Sequence, residues 1–464
     1  MSIRQLPEQL LKSLDKVPGF DRKQFEAVHK NGEQVTSIRY NPSKPPPYQQ
    51  HADTTEAPAR VPWSSQGQYL SERPFFTFDP LIHAGVYYVQ EASSMFLEQA
   101  LRQTVDLDSP LRVLDLCGAP GGKSTLIQSL LSQDSLLVSN DVIRSRANIL
   151  DENLTKWGSE NVIVTNSDPA AFSAMENYFD VIVVDAPCSG SGLFRRDPEA
   201  IDEWSLQNVE MCSKRQQRIL AEVYPSLKKN GVLIYSTCSY SYEEDEEIAD
   251  WLVAEFDFQN MPLLLDSDWG IVSSFSPVHQ AQGYRFYPNR VKGEGFYLAC
   301  FRKTTGETQR LKPPKKTAIQ KLSKDETAIV LPWLQDDVAI SLWKTGEQII
   351  ALPAALSDDL FIAAHHLYIR KAGVGIGKIA GKELIPDHSL ALSNLVSSKI
   401  VGISLNLADA LQYLRREEVK IESSIKGWLL VEYEGARLGW IKALGNRVNN
   451  YYPKEWRILK SEIK

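Results

Sequence analysis

Apolar runs alternate with helical patterns through the middle of the chain. The apolar, β-type runs lie at 111–117, 136–141, 161–166, 179–186, 231–238 and 295–301. The helical patterns lie near 121–132, 145–157, 205–227 and 243–255. Near-continuous apolar strands separated by helices are typical of a parallel sheet covered on both faces. The pattern therefore predicts a doubly wound α/β domain. The last run follows a loop, so we expect it to enter the sheet as an antiparallel strand.

The segments on either side of this domain, which we place at 106–303, have different patterns. Residues 1–105 begin with leucines at helical spacing and continue through a proline-rich loop, which predicts a small α+β domain. The stretch 302–324 contains eight basic residues and one acidic residue, so we expect 304–324 to be a solvated linker or a strap that contacts phosphates. Two regions with short strands and many turn residues follow, an intermediate domain at 325–395 and a C-terminal domain at 396–464.

Composition narrows the class of protein without identifying it. The chain has 464 residues, of which 43% are hydrophobic and 23% charged, and its net charge is −7. These are ordinary values for a globular protein. No apolar run approaches the roughly 18 residues of a membrane span. The five cysteines form neither a disulfide framework nor a C-x-x-C zinc motif. We therefore expect a cytoplasmic monomer with no membrane partner and no metal.

The turn after the first apolar run is rich in small residues. Its sequence at 116–124, LCGAPGGKS, is close to a P-loop, but Cys117 stands where the first P-loop glycine is required. Small residues let the backbone approach a ligand, and the N-terminus of the helix beyond them favours negative charge. The predicted cofactor-binding residues of this turn are Cys117, Gly118, Ala119, Pro120, Gly121, Gly122 and Lys123.

Acidic residues follow the next two apolar runs. An acidic residue about 20 positions beyond a glycine-rich turn usually binds ribose hydroxyls, and Asp141 occupies that place. Asp168 follows the third run in the equivalent position. Each aspartate alone is equally compatible with helix capping, but together with the turn they indicate a nucleoside ligand without a polyphosphate. S-adenosylmethionine is the leading choice.

Two cysteines lie at the ends of the fourth and fifth apolar runs: Cys188 follows the fourth run, and Cys238 is the last residue of the fifth. Because the carboxyl ends of parallel strands share one edge of a sheet, both thiols are expected beside the methyl donor. A thiolate that adds to C6 of a pyrimidine pushes electron density to C5, which can then accept a methyl group. Asp185 is placed to hydrogen-bond the base. The cysteines expected to be structural are Cys117, Cys212 and Cys300.

These motifs resemble those of the RNA (cytosine-C5)-methyltransferase family, the Sun-domain group. The resemblance rests on LCGAPGGKS, on DAPCSGSG at 185–192 and on STCS at 236–239, and it extends over roughly residues 1–303. It implies a Rossmann-like class I methyltransferase fold, S-adenosylmethionine as cofactor and RNA as partner, with the N-terminal domain contacting the RNA. Asn289 departs from the family pattern, in which many members carry histidine.

The resemblance also implies residue roles. The cysteine of the T-C loop attacks C6 in that family, which corresponds to Cys238, and the cysteine of the P-C loop, here Cys188, assists release. Asp185 corresponds to the aspartate that holds the target cytosine, and Lys123 to a lysine near the active centre. Both are therefore expected to be catalytic, and Asp185 to border the cofactor too. The remaining residues that match cofactor contacts are Asp141, Arg146 and Asp168.

The end of the chain favours one branch of the family. The segment GNRVNNYYPKEWR at 445–457 resembles the PUA-like tail of the RsmF-type 16S ribosomal RNA methyltransferases of bacteria. Its basic and aromatic residues fit splayed RNA, and the alternative is a tail whose aromatic residues only pack against their own domain. We therefore expect methylation of cytosine C5 in 16S ribosomal RNA. A transfer-RNA methyltransferase, a DNA cytosine methyltransferase and a non-catalytic RNA-binding or assembly protein on the same fold remain the alternatives.

Two further signals have simpler explanations. Ser241 and Glu244 have the spacing of a capping box at the start of the helix predicted at 243–255. His365 and His366 have no metal-ligating partners at a useful spacing, so we expect them on the face of a helix or loop.

Overall fold

The computed structural model of the protein describes residues 5–44, 59–306, 311–336, 338–419, 425–445 and 447–460. Much of the proline-rich loop, part of the basic linker and Asn446 of the tail lie outside these ranges. Within them, no helix has the length and apolar character needed to cross a membrane.

The N-terminal region contributes a small antiparallel sheet and short helices, as the sequence predicts. Its elements are α1 (Glu8–Leu14), α2 (Arg22–Lys30), β1 (Thr36–Tyr40), β2 (Gly67–Leu70), α3 (Pro80–His83), β3 (Tyr87–Val89) and α4 (Leu97–Thr104). β1 pairs with β2 on one side and with β3 on the other. Arg39 on β1 is buried and donates to Gln90 Oε1 at 2.7 Å and to Thr125 Oγ1 at 2.6 Å. It therefore ties this small sheet to the helix that follows the glycine-rich turn.

The central region is built from alternating strands and helices. Its strands are β4 (Arg112–Asp115), β5 (Leu136–Asn140), β6 (Val162–Thr165), β7 (Phe179–Asp185), β8 (Leu227–Thr237), β9 (Phe258–Asn260), β10 (Val272–Phe275), β11 (Gln282–Phe286) and β12 (Phe296–Lys303). Its helices are α5 (Gly122–Leu130), α6 (Arg144–Trp157), α7 (Ala200–Glu203), α8 (Leu206–Val223) and α9 (Glu246–Glu255). Most of them follow the predicted ranges closely.

The strand order places a switch point at β4. The sheet runs β10-β11-β12-β8-β7-β4-β5-β6, and the strands from β8 to β6 are parallel. The chain passes from β4 to β5 and β6 on one side, and then crosses to β7 and β8 on the other. Ligands bind outside the carboxyl ends of the strands at such a point. β12 pairs with β8 in the antiparallel direction, so the doubly wound fold and its antiparallel last strand are both confirmed.

The apolar runs form these strands because both faces of the sheet are covered. Leu114 and Val138 belong to one buried apolar cluster, whereas their neighbours Val113 and Leu137 belong to another. Since successive side chains of a strand point to opposite faces, a strand between two apolar layers needs apolar residues at every position.

The C-terminal regions form two further sheets. Their elements are β13 (Gln320–Lys321), α10 (Lys324–Val330), β14 (Ile340–Thr345), β15 (Gln348–Pro353), α11 (Ser357–His366), β16 (Ile369–Ala372), β17 (Val374–Ala380), β18 (Glu383–Pro386), α12 (His388–Leu392), β19 (Gly402–Leu405), α13 (Leu407–Leu414), β20 (Gly427–Tyr433), β21 (Ala436–Ala443) and β22 (Val448–Asn450). The first sheet has the order β13-β14-β15-β17-β18 and the second β19-β20-β21-β22. His365 and His366 lie in the last turn of α11.

One strand of this C-terminal part belongs to the central sheet. β16 pairs antiparallel with β6 and so lengthens the sheet beyond its last parallel strand. α11, just before it, carries Asp359, which accepts two hydrogen bonds from Arg112 on β4. Gly158, at the end of α6, has a φ of +91°, and a Cβ there would lie 2.4 Å from the carbonyl oxygen of Leu392. The C-terminal region therefore packs closely against the sheet that carries the candidate site.

Candidate active site

The loops that follow the parallel strands meet at the carboxyl edge of the sheet, and Asn140 joins them. Its side-chain amide donates to the carbonyl oxygens of Leu116 at 3.1 Å and Ser167 at 3.0 Å, and its Oδ1 accepts from Ser167 N at 2.9 Å. The carbonyl oxygen of Asn140 accepts from Gly118 N at 2.7 Å. Asn140 thus connects the loops that follow β4, β5 and β6 and fixes their positions relative to one another. No motif in the sequence indicated this role for Asn140.

The glycine-rich turn wraps around a buried carboxyl group. Asp115, the last residue of β4, accepts from Ser124 Oγ at 2.6 Å, while its other oxygen, Oδ1, is buried without a hydrogen-bond partner among the described residues. Burial raises the pKa of Asp115 to about 7, against the lowering effect of the Ser124 hydroxyl. Gly121 has a φ of +119°, in the left-handed region that favours glycine, and α5 begins at the next residue. The turn therefore encloses a buried carboxyl oxygen that has no partner among the described residues.

The predicted cofactor aspartates lie at the adjacent strand ends. Asp141 is buried, accepts from Ile143 N at 2.9 Å and lies 3.3 Å from Arg146 Nη2. Arg146 also donates to the carbonyl oxygen of Ala119 at 2.9 Å, so it bridges the acidic residue and the turn. Asp168 is exposed and accepts from Ala170 N at 3.0 Å. It thus caps a short 3-10 helix while its other carboxylate oxygen remains available.

Apolar groups surround these aspartates and extend the site beyond the residues the sequence indicated. Val142 and Ile143 are 55% and 48% exposed, and Tyr368, just before β16, is 62% exposed. Tyr368 N donates to Ser167 Oγ at 2.9 Å, and its carbonyl oxygen accepts from Asn166 N at 3.0 Å. Exposed apolar side chains beside two acceptors fit a nucleoside, whose base is apolar on its faces and whose ribose donates hydrogen bonds. The sequence gives no local signal that would bring Tyr368 here.

The two candidate reactive cysteines are in contact. Cys188 Sγ and Cys238 Sγ are 3.1 Å apart, in the loops after β7 and β8. The pKa of Cys188 is raised well above its usual value, first by its hydrogen bond with Cys238 and second by burial. Either thiol can donate the hydrogen bond that joins the two sulfurs. The loop of Cys188 is fixed by Gly192 N, which donates to the carbonyl oxygen of Cys238 at 2.8 Å.

Asp185 and Lys123 form an ion pair at the same edge. Lys123 Nζ lies 2.8 Å from Asp185 Oδ2, and Ser236 Oγ donates to Asp185 Oδ1 at 2.8 Å. Burial disfavours the charge on Lys123, but Asp185, with a smaller contribution from Cys238, raises the pKa of the ammonium above its usual value. The pair therefore presents a carboxylate and an ammonium next to the thiols. Cys117 lies at the same edge and is half-buried, whereas Cys212 and Cys300 are buried.

Glu244 holds both cysteine loops, which the sequence did not predict. Its carboxylate accepts from Ser189 N at 2.8 Å, Ser189 Oγ at 2.5 Å and Ser239 Oγ at 2.6 Å. The predicted capping box of Ser241 and Glu244 is wrong: the Ser241 side chain makes no capping bond, and α9 begins at Glu246 after a 3-10 turn. The reason is that Glu244 points away from the helix end to satisfy the residues that follow Cys188 and Cys238.

We expect Glu244→Gln to disturb both cysteine loops. An amide has one acceptor oxygen fewer, so a buried donor among Ser189 and Ser239 loses its partner, at a cost of about 1–3 kcal/mol. The variant should unfold at lower urea concentration, and the rate at which iodoacetamide alkylates Cys238 should change. Peptide mapping by mass spectrometry follows that rate. Glu247→Gln on the exposed side of α9 is the control, and equal alkylation rates in both variants would show that Glu244 does not position the thiols.

The described residues contain no group of His, Cys, Asp and Glu side chains arranged to hold a metal ion. The acidic residues that follow Glu244 are engaged elsewhere. Arg285 donates to Glu246 Oε1 at 2.7 Å and lies 3.1 Å from Asp245 Oδ2, all three being buried. Both atoms of the Asn289 amide are buried without partners among the described residues.

Comparisons with known proteins agree with this architecture along most of the chain. A family model described as 16S rRNA methyltransferase RsmB/F matches residues 103–302. A model for the N-terminal domain of 16S rRNA methyltransferase RsmF matches residues 6–92, and one for the methyltransferase RsmF PUA domain matches residues 401–458.

Individual proteins and solved structures that are similar to this chain include methyltransferases. Ribosomal RNA small subunit methyltransferase F of Vibrio atlanticus is 30% identical over 418 residues, which cover 85% of each chain. Its namesake in Shewanella woodyi is 30% identical over 419 residues, covering 85% of this chain and 84% of the relative. A methyltransferase homolog from Pyrococcus horikoshii has a TM-score of 0.50 and 28% identity, covering 64% of this chain and all (100%) of the other. NSun6 from Pyrococcus horikoshii, solved with SFG, has a TM-score of 0.54 at 19% identity, covers 65% of this chain and 99% of the other, and shows the fold alone.

The fold and the site define a Rossmann-like methyltransferase that carries its own N-terminal domain and a PUA domain at the C-terminal end. The cysteine pair and the ion pair beside it lie at the carboxyl edge of its parallel strands. The chain belongs to the ribosomal RNA small subunit methyltransferase F family, so it is a ribosomal RNA methyltransferase. The resemblance read from the sequence is confirmed at this level.

Proposed function

We propose that this enzyme transfers a methyl group from S-adenosylmethionine to C5 of cytosine in 16S ribosomal RNA, through a covalent bond between Cys238 and C6. The observation that carries the proposal is the contact of 3.1 Å between the Cys238 and Cys188 sulfurs, beside the ion pair of Asp185 and Lys123. A paired thiol has no use in a protein that only binds RNA. Family membership supports ribosomal RNA as the substrate rather than transfer RNA. Such an enzyme works in the cytoplasm, where ribosomes assemble.

Cys238 is the nucleophile in this proposal. Its thiolate adds to C6 of the cytosine, the C5–C6 double bond opens, and its electrons make C5 nucleophilic enough to take a methyl group. S-adenosylmethionine, when bound, supplies that methyl group from its sulfonium. The target base leaves its stack to reach the thiols, which lie in loops rather than on an open surface.

Asp185 and Lys123 hold the base. The carboxylate of Asp185 already accepts from Ser236 and Lys123, so in this arrangement it acts as an acceptor. It suits the exocyclic amino group of cytosine, which donates. The ammonium of Lys123 next to it stabilises the negative charge that develops on the ring when the thiolate adds.

Cys188 serves the release step. The largest cause of its raised pKa is the hydrogen bond to Cys238, and that bond loses its strength as soon as the Cys238 sulfur is bound to carbon. The Cys188 thiol then ionises more easily and gives its proton to water, and the resulting thiolate takes the proton from C5. As the proton leaves, the C5–C6 double bond re-forms and the electron pair of the S–C6 bond returns to Cys238. The contact between the sulfurs therefore couples attack and release.

The cofactor side of the site is formed by the turn at 117–123 and the neighbouring strand ends. We assign the ribose hydroxyls to Asp141 and Arg146, and the base edge to Asp168 with Val142, Ile143 and Tyr368 around it. Since Cys117 replaces the first P-loop glycine, no triphosphate cradle is formed.

Bisulfite sequencing tests the proposed function. Total RNA from a strain without this protein should lack a protected cytosine in 16S ribosomal RNA that is present in the wild type. Expression of the protein from a plasmid should restore the protection, whereas Cys238→Ala should not. Protection unchanged in the deletion strain, or loss confined to transfer RNA, would contradict the proposal.

We expect Asp141→Ala to weaken the binding of S-adenosylmethionine. The substitution removes a charged acceptor for the ribose, at a cost of about 1.5–3 kcal/mol, or roughly 10- to 150-fold in Kd. Isothermal titration calorimetry measures the change, and ATP in place of S-adenosylmethionine should give no heat of binding. Asp134→Ala, an exposed residue before β5 at the opposite edge of the sheet, is the control. Equal affinities of the two variants would remove Asp141 from the cofactor site.

A further inference from the structure

A second cavity lies away from the cysteines, where the C-terminal part of the chain packs on the methyltransferase sheet. It has a volume of about 860 Å³. Its walls come from α6, the basic linker, α11 with β16, and the residues at the start of α12 and near the end of the chain. We call it the junction cavity. The residues that carry the argument are Lys316, Arg370, Lys371, His388 and Trp456.

Three segments that stand out in the sequence but are not part of the methyl-transfer site line this cavity. The basic strip supplies Lys316, α11 supplies His365 of the histidine pair, and the basic, aromatic tail supplies Trp456. These segments are far apart in the chain. β16, which forms the floor of the junction cavity with Arg370 and Lys371, is the same strand that pairs with β6 and follows Tyr368 at the cofactor edge. The cavity and the active site therefore share one sheet.

Polar groups at the walls lack partners within the described part of the chain. Arg370 Nε and both ring nitrogens of His388 are buried without a hydrogen bond there. Among the same residues, the Lys371 ammonium has no hydrogen bond and no carboxylate within 4.0 Å. Burial lowers the pKa of Lys371, and Asp151 and Asp387 oppose that effect. Buried polar groups without partners cost free energy unless a ligand supplies those partners.

The ligand that fits is rich in acceptors, negatively charged and partly flat. Lysine and arginine side chains provide a site for a phosphate. The Trp456 ring is half-buried at the rim, with Lys156 Nζ over it at 5.5 Å from the centroid, so an aromatic ring and a cation lie together where a base and its phosphate would bind. The volume lies within the range of sites that bind a molecule of nucleotide size. Asp151 and Asp387 are the carboxylates at the walls, and they accept from the amino groups that bases carry.

We propose that the junction cavity binds one nucleotide of a single-stranded segment of the RNA substrate, at a distance from the cytosine that is methylated. The proposal rests on the proposed function, since it takes RNA as the substrate. Counted across the sheet, β16 is four strand spacings from β7 and five from β8, which places this strand roughly 19–24 Å from the strands that precede Cys188 and Cys238. The cavity thus anchors the RNA several nucleotides away from the reacting base and sets which cytosine reaches Cys238.

The salt dependence of RNA binding tests the proposal. Binding of a fluorescently labelled single-stranded oligoribonucleotide, copied from the methylated region of 16S ribosomal RNA, is measured with the full chain over a series of salt concentrations. Lys371→Gln removes the charge and keeps most of the side-chain length. It should weaken binding about tenfold and reduce the slope of log K against log salt by about 0.7, the value for one phosphate contact on a single strand. Lys378→Gln, on the exposed face of β17, is the matched control and should change neither.

A second variant covers the case in which Lys371→Gln fails to fold. Lys316 is exposed on the linker, so Lys316→Gln leaves the core untouched, and the same loss of slope is expected. Wild-type slopes in Lys371→Gln and Lys316→Gln would overturn the proposal. A free mononucleotide that binds the wild type but not Lys371→Gln, with RNA binding unchanged, would also overturn it, because the cavity would then be an effector site.

The test of the junction cavity can fail without contradicting the proposed function. If the wild type methylates a cytosine in 16S ribosomal RNA while the variants keep the wild-type salt slope, that combination would contradict only the proposal that the junction cavity binds RNA. Absence of cytosine methylation by the wild type removes the proposed function itself. Calorimetry with S-adenosylmethionine should give the wild-type Kd for Lys371→Gln, since the cofactor contacts lie at the other end of β16.

Discussion

The Cys188→Ala variant should accumulate a covalent protein–RNA adduct, whereas Cys238→Ala should form none. The two sulfurs are 3.1 Å apart, yet their loops follow different strands and their roles differ. Without Cys238 there is no thiolate to add to C6, so neither the adduct nor the methylated base is formed. Without Cys188 the attack and the methyl transfer still occur, but the proton on C5 is not removed. The S–C6 bond then persists.

Denaturing gel electrophoresis of each variant with radiolabelled RNA and S-adenosylmethionine measures this result. The Cys188→Ala lane should show a labelled band at the mass of the protein plus RNA, and the adduct should resist heat and detergent because it is a thioether. Methyl transfer to released RNA should fall by at least about 10³-fold in both variants, a change of about 4 kcal/mol in the barrier. Cys212→Ala, a buried thiol in α8, is the control and should behave like the wild type.

The opposite pattern would change the assignment. An adduct trapped with Cys238→Ala and none with Cys188→Ala would make Cys188 the nucleophile, as in DNA cytosine methyltransferases. Wild-type turnover in both variants would show that neither thiol reacts, and the contact between them would then have a structural role only.

The sequence predicted the fold and the juxtaposition of the candidate reactive groups because local signals carried both. Fully apolar strands require a sheet covered on both faces, and small residues after β4 require a close backbone approach. The cysteines and Asp185 follow strands whose ends must meet at one edge of a parallel sheet. Pattern and topology therefore sufficed to bring Cys188, Cys238 and Asp185 together, and the structure adds the distances.

The contacts that hold the site were not predictable in this way. Glu244 has the spacing of a capping residue, but its carboxylate turns to the Ser189 and Ser239 donors because these are buried and need an acceptor. Tyr368 reaches the cofactor edge only because β16 pairs with β6, about 200 residues earlier in the chain. Such contacts depend on which segments pack together, and no spacing within one segment encodes them.

The buried ion pair that fixes the C-terminal region should be the largest single contribution to its docking. Arg112 donates from Nε to Asp359 Oδ1 at 2.9 Å and from Nη2 to Asp359 Oδ2 at 2.7 Å, and Tyr178 donates its hydroxyl to the same carboxylate at 2.6 Å. Both charged side chains are close to fully buried. Removing one partner leaves the other charge buried and uncompensated. We therefore expect Arg112→Met to lower the free energy of unfolding by about 3–5 kcal/mol.

Equilibrium unfolding in urea, followed by tryptophan fluorescence, measures this loss. The exposed pair of Lys399 and Asp336 is the control, because side chains that are 70% and 73% exposed gain little from their attraction, and Lys399→Met should cost at most about 1 kcal/mol. The double variant Arg112→Met with Asp359→Leu should recover most of the stability, since an apolar pair fills the same space without a buried charge. A double variant as unstable as the single one would mean that the hydrogen bonds themselves, including that from Tyr178, hold α11 to β4. In that case the attraction between the charges would not be what stabilises this contact. The Tyr178→Phe variant should then show a comparable loss in the free energy of unfolding.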